Sequence, residues 1–209
     1  MKQEWRKREK IVYLPKNEPE VIDIPEFKFL TIKGEGNPNS DIFSEYISVL
    51  YSLSYAIKMN LKKEPEINGY VDYTVYPLEG VWDINEEAKK TYDGTLDKND
   101  LIFTLMIRQP NFVEEEFVQK MMIQTKNKKP HRLFDHIKFE CIKEGKCIQM
   151  MHLGSYDNEP KSFKIMETFS QKKDLIRLSK VHREIYLTDF RKVTEEKLKT
   201  VLRFKVVSS

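Results

Sequence analysis

Between Val181 and Asp189 the chain reads Val-His-Arg-Glu-Ile-Tyr-Leu-Thr-Asp, and His182, Glu184 and Tyr186 have chemistry to offer. Successive residues of a strand face opposite ways. His182, Glu184 and Tyr186 therefore share one face, and Arg183, Ile185 and Leu187 the other. A carboxylate is then set between an imidazole and a phenol. In a poorly solvated cavity it attracts a lipophilic cation, with the rings adding cation–π contacts. With a water held against it, it acts as a general base. The plain alternative is a half-exposed strand whose polar side meets solvent, and these residues taken alone favour it.

Further candidates lie elsewhere. Tyr70 to Tyr76 alternates like a strand, placing Tyr73 with Val71 and Val75 and turning Tyr76 the other way, so at most one of these two tyrosines faces a ligand. Tyr73 is preferred for the face it shares with Val71 and Val75, where its phenol can hydrogen-bond a substrate carbonyl and stabilise charge that builds there. Trp82 reads first as a core residue, and its place after Pro77-Leu78-Glu79-Gly80 brings the ligand-platform reading level with it. Tyr156, after Gly154-Ser155, either caps a cavity mouth or packs on its own helix. Met106, like Met150 and Met151, reads as a core filler that can also soften a promiscuous pocket. His182 and His152 also have an ordinary reading as structural histidines, and Glu79 one as a bulge residue. No metal-ligand spacing, glycine-rich phosphate loop or Ser-His-Asp arrangement is legible, so neither a metal nor a cofactor is expected.

At 209 residues the chain can bury a real core without disulfides. Its 36 basic and 33 acidic residues nearly balance, which gives no global field for nucleic acid or an anionic membrane. The basic run Lys126, Lys128, Lys129, His131 and Arg132 reads as a solvated loop. Cys141 and Cys147 lack spaced partners and read as reduced thiols. Met1 to Lys10 is charged and no long apolar run follows, so a cytoplasmic, soluble protein without a membrane span is expected.

The elements follow in order. Residues 1–18 form an extended arm with at most a helical turn. Strands 20–24 and 28–33 make a hairpin about Pro25-Glu26-Phe27, and a turn-rich run from Gly34 leads to an N-cap at Asn39 or Ser40. A helix over 42–63 is amphipathic and stops at Pro65. Strand 70–76 continues through a break or bulge at 77–82, and a strand follows at 101–108. A helix over 112–125 begins with Glu114, Glu115 and Glu116. Then the order repeats: a hairpin of 137–142 and 147–153 about Lys143-Glu144-Gly145-Lys146, a helix over 161–172, and strands 182–188 and 200–206. Halves of about 20–109 and 134–207 give a pseudo-two-fold α+β domain over 19–207 with a ligand cavity between the halves.

Four stretches carry a resemblance to a known family: Tyr76-Pro77-Leu78-Glu79-Gly80-Val81-Trp82, Met106-Ile107-Arg108-Gln109-Pro110, Cys147 to Tyr156, and His182 to Arg191. From about residue 19 to residue 207 they resemble the GyrI-like small-molecule-binding family, and within it a stand-alone bacterial subfamily whose members include hydrolases of cyclopropane-bearing natural products. The resemblance implies a SOUL-type tandem β-α-β-β duplication, a hydrophobic aromatic small molecule as partner, and a glutamate on the penultimate strand meeting the ligand among rings. That glutamate maps onto Glu184. With Tyr73 as its catalytic companion and Trp82, Met106, Tyr156, His182 and Tyr186 around the ligand, the expected reaction is water attack on a strained cyclopropane, which protects against a genotoxic compound. Arg183 and Phe190 stand where the family pattern has His and Pro. Alternatives in the family are a non-catalytic sensor or sequestering protein and, less favoured, a gyrase-binding protein. No helix-turn-helix segment is legible, so no dedicated nucleic-acid-binding domain is expected.

Overall fold

The computed structural model describes residues 2–64, 67–189 and 192–208. Along the chain run α1 (Trp5–Arg8), α2 (Lys10–Tyr13), β1 (Glu20–Glu35), α3 (Asp41–Leu61), β2 (Leu78–Ile84), α4 (Glu86–Thr91), β3 (Leu101–Gln109), α5 (Glu115–Lys128), β4 (Lys138–Leu153), α6 (Glu159–Lys172), β5 (Leu175–Arg177), β6 (His182–Tyr186) and β7 (Lys199–Ser208). The fold is mixed α+β, and the strand pairs β1–β3, β4–β7, β5–β7 and β6–β7 are antiparallel. Contacts divide it into two compact units. Among the described residues, the first holds Gln3 and those within 27–78 and 82–142, and the second those within 4–26, 79–81 and 143–208.

In the first unit β1 pairs with β3 from Lys28 opposite Gln109 to Glu35 opposite Ile102. The helix α3 starts at an extended Ser40 and buries Phe43, Val49, Leu50, Leu53, Ile57 and Leu61, the three-, four- and seven-residue spacing of one helical face. Each such side chain contributes about 1.5–3 kcal/mol on burial, so this stripe fixes α3 in place. Gly34 is required by packing. A Cβ there would sit 2.4 Å from the Phe103 ring.

Several expected boundaries move, for identifiable reasons. The hairpin at 20–33 is instead the single strand β1: Pro25-Glu26-Phe27 brings a proline but no glycine, asparagine or aspartate to complete a tight reversal, and proline's fixed φ suits an extended backbone wherever its missing N–H is not called on. Tyr70 to Tyr76 is not a strand; its pairing is a single bridge from Tyr73 to Gln3. The ladder opens only at Leu78, after Pro77, which has no N–H to give. Tyr73 and Tyr76 are both buried while Val71 is 37% exposed, so the shared face read for Tyr73, Val71 and Val75 does not form. The helix expected from 112 begins at Glu115, because Pro110 first closes a turn in which the Val113 N–H donates to its carbonyl. Lys126 and Lys128 belong to the last turn of α5, where cations complement the helix dipole, rather than to a loop. Pro65, the expected stop of α3, lies outside the described residues.

The second unit is organised on β7, which pairs with β4, β5 and β6. Ile148, Met150, Met166, Leu175, Leu202, Phe204 and Val206 form its core. The hairpin expected about Lys143-Glu144-Gly145-Lys146 is also one long strand, β4. Gly145 takes a φ of 74° without reversing the chain, while Glu144 is anchored by Arg183 at 3.1 Å and Arg203 at 2.8 Å. Cys147 is buried and Cys141 exposed. Burial, reinforced by the Glu144 charge, pushes the Cys147 thiol up to about 12.

Residues 4–18 are not the extended arm expected. Two short helices form because Trp5 and Tyr13 are buried against each other, ring centroids 5.3 Å apart. Arg203 donates to the Val12 carbonyl at 2.8 Å and Gln149 to that of Ile11 at 2.7 Å, which docks the segment onto β4 and β7. Among the described residues no helix is long and apolar enough to cross a membrane.

Candidate functional site

On β6 the alternation read from sequence is realised. One face is a buried ion-pair network in which Arg183 meets Glu79 at 2.6 Å and Glu144 at 3.1 Å, with Ile185 fully buried beside it. Glu79 therefore serves this network. On the other face, Glu184 is held by both of its strand neighbours. His182 Nε2 lies 3.1 Å from one carboxylate oxygen, and the Tyr186 hydroxyl donates to the other at 2.7 Å. Residues two apart on a strand point the same way, so the sequence itself brings these three together.

A fourth group comes from α6. Its N-terminal turn carries Glu159, just ahead of Pro160, which is tolerated there because first-turn N–H groups have no helical partner. Glu159 is 6% exposed, and its Oε1 is buried without a hydrogen-bond partner. Burial holds its carboxyl well above the usual carboxylate range, helped by the charge of Glu184, a hydrogen bond to Glu184 and the charge of Asp157. One atom each of Glu159, His182 and Glu184 lies within 4.8 Å of the others. Hydrogen bonds join Glu184 to both of the others, so the cluster reads as a proton-sharing network.

Rings surround this network. Tyr156 meets Tyr186 edge-on at 6.0 Å, and Phe163 meets the His182 imidazole at 4.7 Å. Burial, followed by the charges of Glu184, Glu159 and Asp189, raises the Tyr156 phenol and keeps it a donor. His152 supports the turn between β4 and α6: its Nε2 must donate to the Ser155 carbonyl at 3.0 Å, so Nδ1 accepts from Ser162 at 2.9 Å. That satisfies the structural reading of His152.

The raised carboxyl has a stability consequence. A folded-state pKa above the unfolded value means that Glu159 contributes most below the ordinary carboxyl range and progressively less as pH rises through the folded value. Glu159→Gln is expected to match the wild type near pH ~4 and to be the more stable protein in neutral and alkaline buffer, as read by urea denaturation across pH.

Of the residues anticipated from sequence, His182, Glu184, Tyr186 and Tyr156 come together here. Tyr73, Trp82 and Met106 belong to the first unit and are buried there. Trp82 packs 5.3 Å from Phe103 and 5.8 Å from Phe43. The Tyr73 ring packs on Phe112, and its hydroxyl is buried with no hydrogen-bond partner, burial raising its pKa. Tyr73→Phe is accordingly expected to leave stability unchanged or to raise it by up to about 1 kcal/mol in urea denaturation. A loss of more than that would mean that the hydroxyl is engaged. Phe190 lies outside the described residues.

The family model of the GyrI-like small molecule binding domain matches residues 17–207. The chain belongs to the GyrI-like family. The GyrI-like fold here is similar to a crystal structure of a hydrolase from Listeria innocua, 35% identical, covering 99% of this chain and 100% of that chain with a TM-score of 0.87. Another structure of a hydrolase and one of an uncharacterized conserved protein, both from Listeria innocua, are each 34% identical, cover 98% of this chain and 100% of theirs, and have TM-scores of 0.86. No curated protein matches the chain.

Proposed function

We propose that this GyrI-like protein is a hydrolase that binds hydrophobic, planar small molecules and opens a cyclopropane ring conjugated to a carbonyl, with Glu184 as the general base, so protecting against a genotoxic alkylator. The observation that carries the reading is the buried carboxyl pair. Glu184 has Oε2 held by the Tyr186 hydroxyl and Oε1 3.1 Å from His182 Nε2, so a water between it and a bound substrate meets a fixed acceptor. The flanking rings of Tyr156, Phe163 and Tyr186 suit a flat, apolar ligand. Full-length similarity to hydrolases from Listeria innocua supports turnover rather than binding alone.

The reading includes descent from a tandem repeat. In support, Gly36 and Gly154 both take positive φ at the ends of the long strands β1 and β4, and each is followed by a helix. The Gly36 N–H donates to the Leu101 carbonyl at 2.7 Å and the Gly154 N–H to the Leu198 carbonyl at 3.0 Å, at the start of β3 and just before β7. On that correspondence β2, not residues 70–76, is the counterpart of β6.

A second reading, a sensor or sequestering protein for lipophilic cations, uses the same carboxylate without turnover. Mass spectrometry of a cyclopropane-bearing alkylator incubated with the protein separates the two. A product one water heavier supports hydrolysis; unaltered compound retained on the protein supports the sensor.

A further inference from the structure

We infer that Glu159 is the second catalytic group of the site, a protonated carboxyl that gives its proton to the opening substrate and recovers one from Glu184. The inference rests on the hydrolytic reading above and adds the acid that a base alone does not supply. Its footing is a count of donors and acceptors. Both carboxyls are buried, with one oxygen of each within 4.8 Å of the other, and two carboxyl groups so placed hydrogen-bond each other only with a proton between them. The surroundings decide which residue owns it.

Glu184 is furnished for negative charge. The Tyr186 hydroxyl donates to Oε2 at 2.7 Å, and the His182 ring faces oxygens on both sides, its Nδ1 3.2 Å from the Lys180 carbonyl and its Nε2 3.1 Å from Oε1, so that Nε2 donates to Glu184 only when both ring nitrogens carry protons. Glu159 lies in the first turn of α6, whose dipole favours negative charge, but no donor reaches its Oε1 as Tyr186 reaches Glu184. The Glu159 Oε1 is buried and unpartnered, Asp157 stands in the turn before it, and Asp189 adds a further negative charge beside Tyr156 after β6. Other polar groups near that turn include the Tyr156 phenol, the His152–Ser162 pair, which is occupied internally, and the exposed Lys161, whose Nζ donates to Asn158 Oδ1 at 3.0 Å. An ionised Glu159 would be a buried charge with an unsatisfied oxygen, which is costly; a protonated one is neutral and still donates.

The reaction then balances without any co-reactant beyond water. The water oxygen bonds to a ring carbon as the ring C–C bond breaks, and the electron pair of that bond moves onto the conjugated carbonyl oxygen. Glu184 takes a proton from the water, and Glu159 gives its proton to the carbonyl oxygen. The pair is left with the proton on Glu184, one transfer along the existing hydrogen bond from its starting state. The product is the substrate plus one water.

Infrared difference spectroscopy of the intact protein at neutral pH tests the proton's location directly. A protonated-carboxyl C=O band is expected in the wild type, absent from Glu159→Gln and retained in Glu159→Asp and Glu184→Gln. In turnover, Glu159→Gln is expected to lower kcat by about 10²–10³-fold with KM little changed, and Glu159→Asp to recover part of the loss. Absence of the band, its loss from Glu184→Gln alone, or full kcat in Glu159→Gln would each overturn the inference. So would stoichiometric metal in the purified protein that Glu159→Gln removes. A wild type that retains the band but turns over no cyclopropane would overturn the hydrolytic reading, and the catalytic role of Glu159 with it, while the proton assignment stands.

Discussion

Glu184→Gln is expected to lower turnover by about 10²–10⁴-fold while leaving affinity for a neutral planar ligand nearly unchanged. Glutamine keeps the length and planarity of the side chain but cannot take a proton from water. The Tyr186 hydroxyl, which donates to Glu184 at 2.7 Å, can still donate to the amide oxygen, so the local geometry has a partner in the variant. Steady-state kinetics beside equilibrium binding reads both quantities. If the protein only held lipophilic cations, the same substitution would weaken cation binding and spare neutral ligands, because the lost interaction would be that of a charge with a ring-lined carboxylate.

The other face of the same strand predicts a large effect of a different kind. Arg183→Met is expected to cost about 3–5 kcal/mol of stability, because it strands the buried carboxylates of Glu79 and Glu144 without their shared counter-charge. Arg183 is 4% exposed, and Arg203 is left alone to answer Glu144. Adding Glu79→Gln to Arg183→Met should recover part of the loss, since one stranded charge is then removed. Urea denaturation of the single and double variants checks this. Neighbouring positions on one strand would thus separate cleanly: Arg183 moves stability and Glu184 moves turnover.

That separation was legible in the sequence. The two-residue period of a strand assigns His182, Glu184 and Tyr186 to one side whatever the surrounding topology, and it places Arg183, a departure from the family pattern, away from the carboxylate. The amphipathic helix α3 was legible for the same reason, its apolar spacing being long and regular. Glu159 was not. It stands beside Pro160 in a run of turn-forming residues, and only the entry of proline into the first turn of α6 carries its carboxyl to Glu184. A glutamate just before such a proline, one helix ahead of a strand glutamate, is the signal that could have found it.

The misread hairpins share a cause. Gly145 and Pro25 are turn formers by local preference, but long-range partners decide what the chain does at each. At Glu144 those partners are Arg183 and Arg203, distant in sequence and invisible to any local pattern. Near Pro25 the ladder with β3 begins only at Lys28, so on that side the proline is not asked for the N–H it lacks. Tyr73 failed in the opposite sense. Its alternation with Val71 and Val75 looked like a strand, yet packing of the tyrosine rings and a single bridge to Gln3 account for the extended backbone.

The most direct measurement of the central claim follows a cyclopropane-bearing alkylator in heavy-oxygen water by mass spectrometry, with the wild type and Glu184→Gln side by side. A ring-opened product carrying one solvent oxygen is expected from the wild type, formed at least ~10²-fold more slowly by Glu184→Gln. Equal rates from the two proteins, or a wild type that binds the compound and returns it unopened, would contradict it.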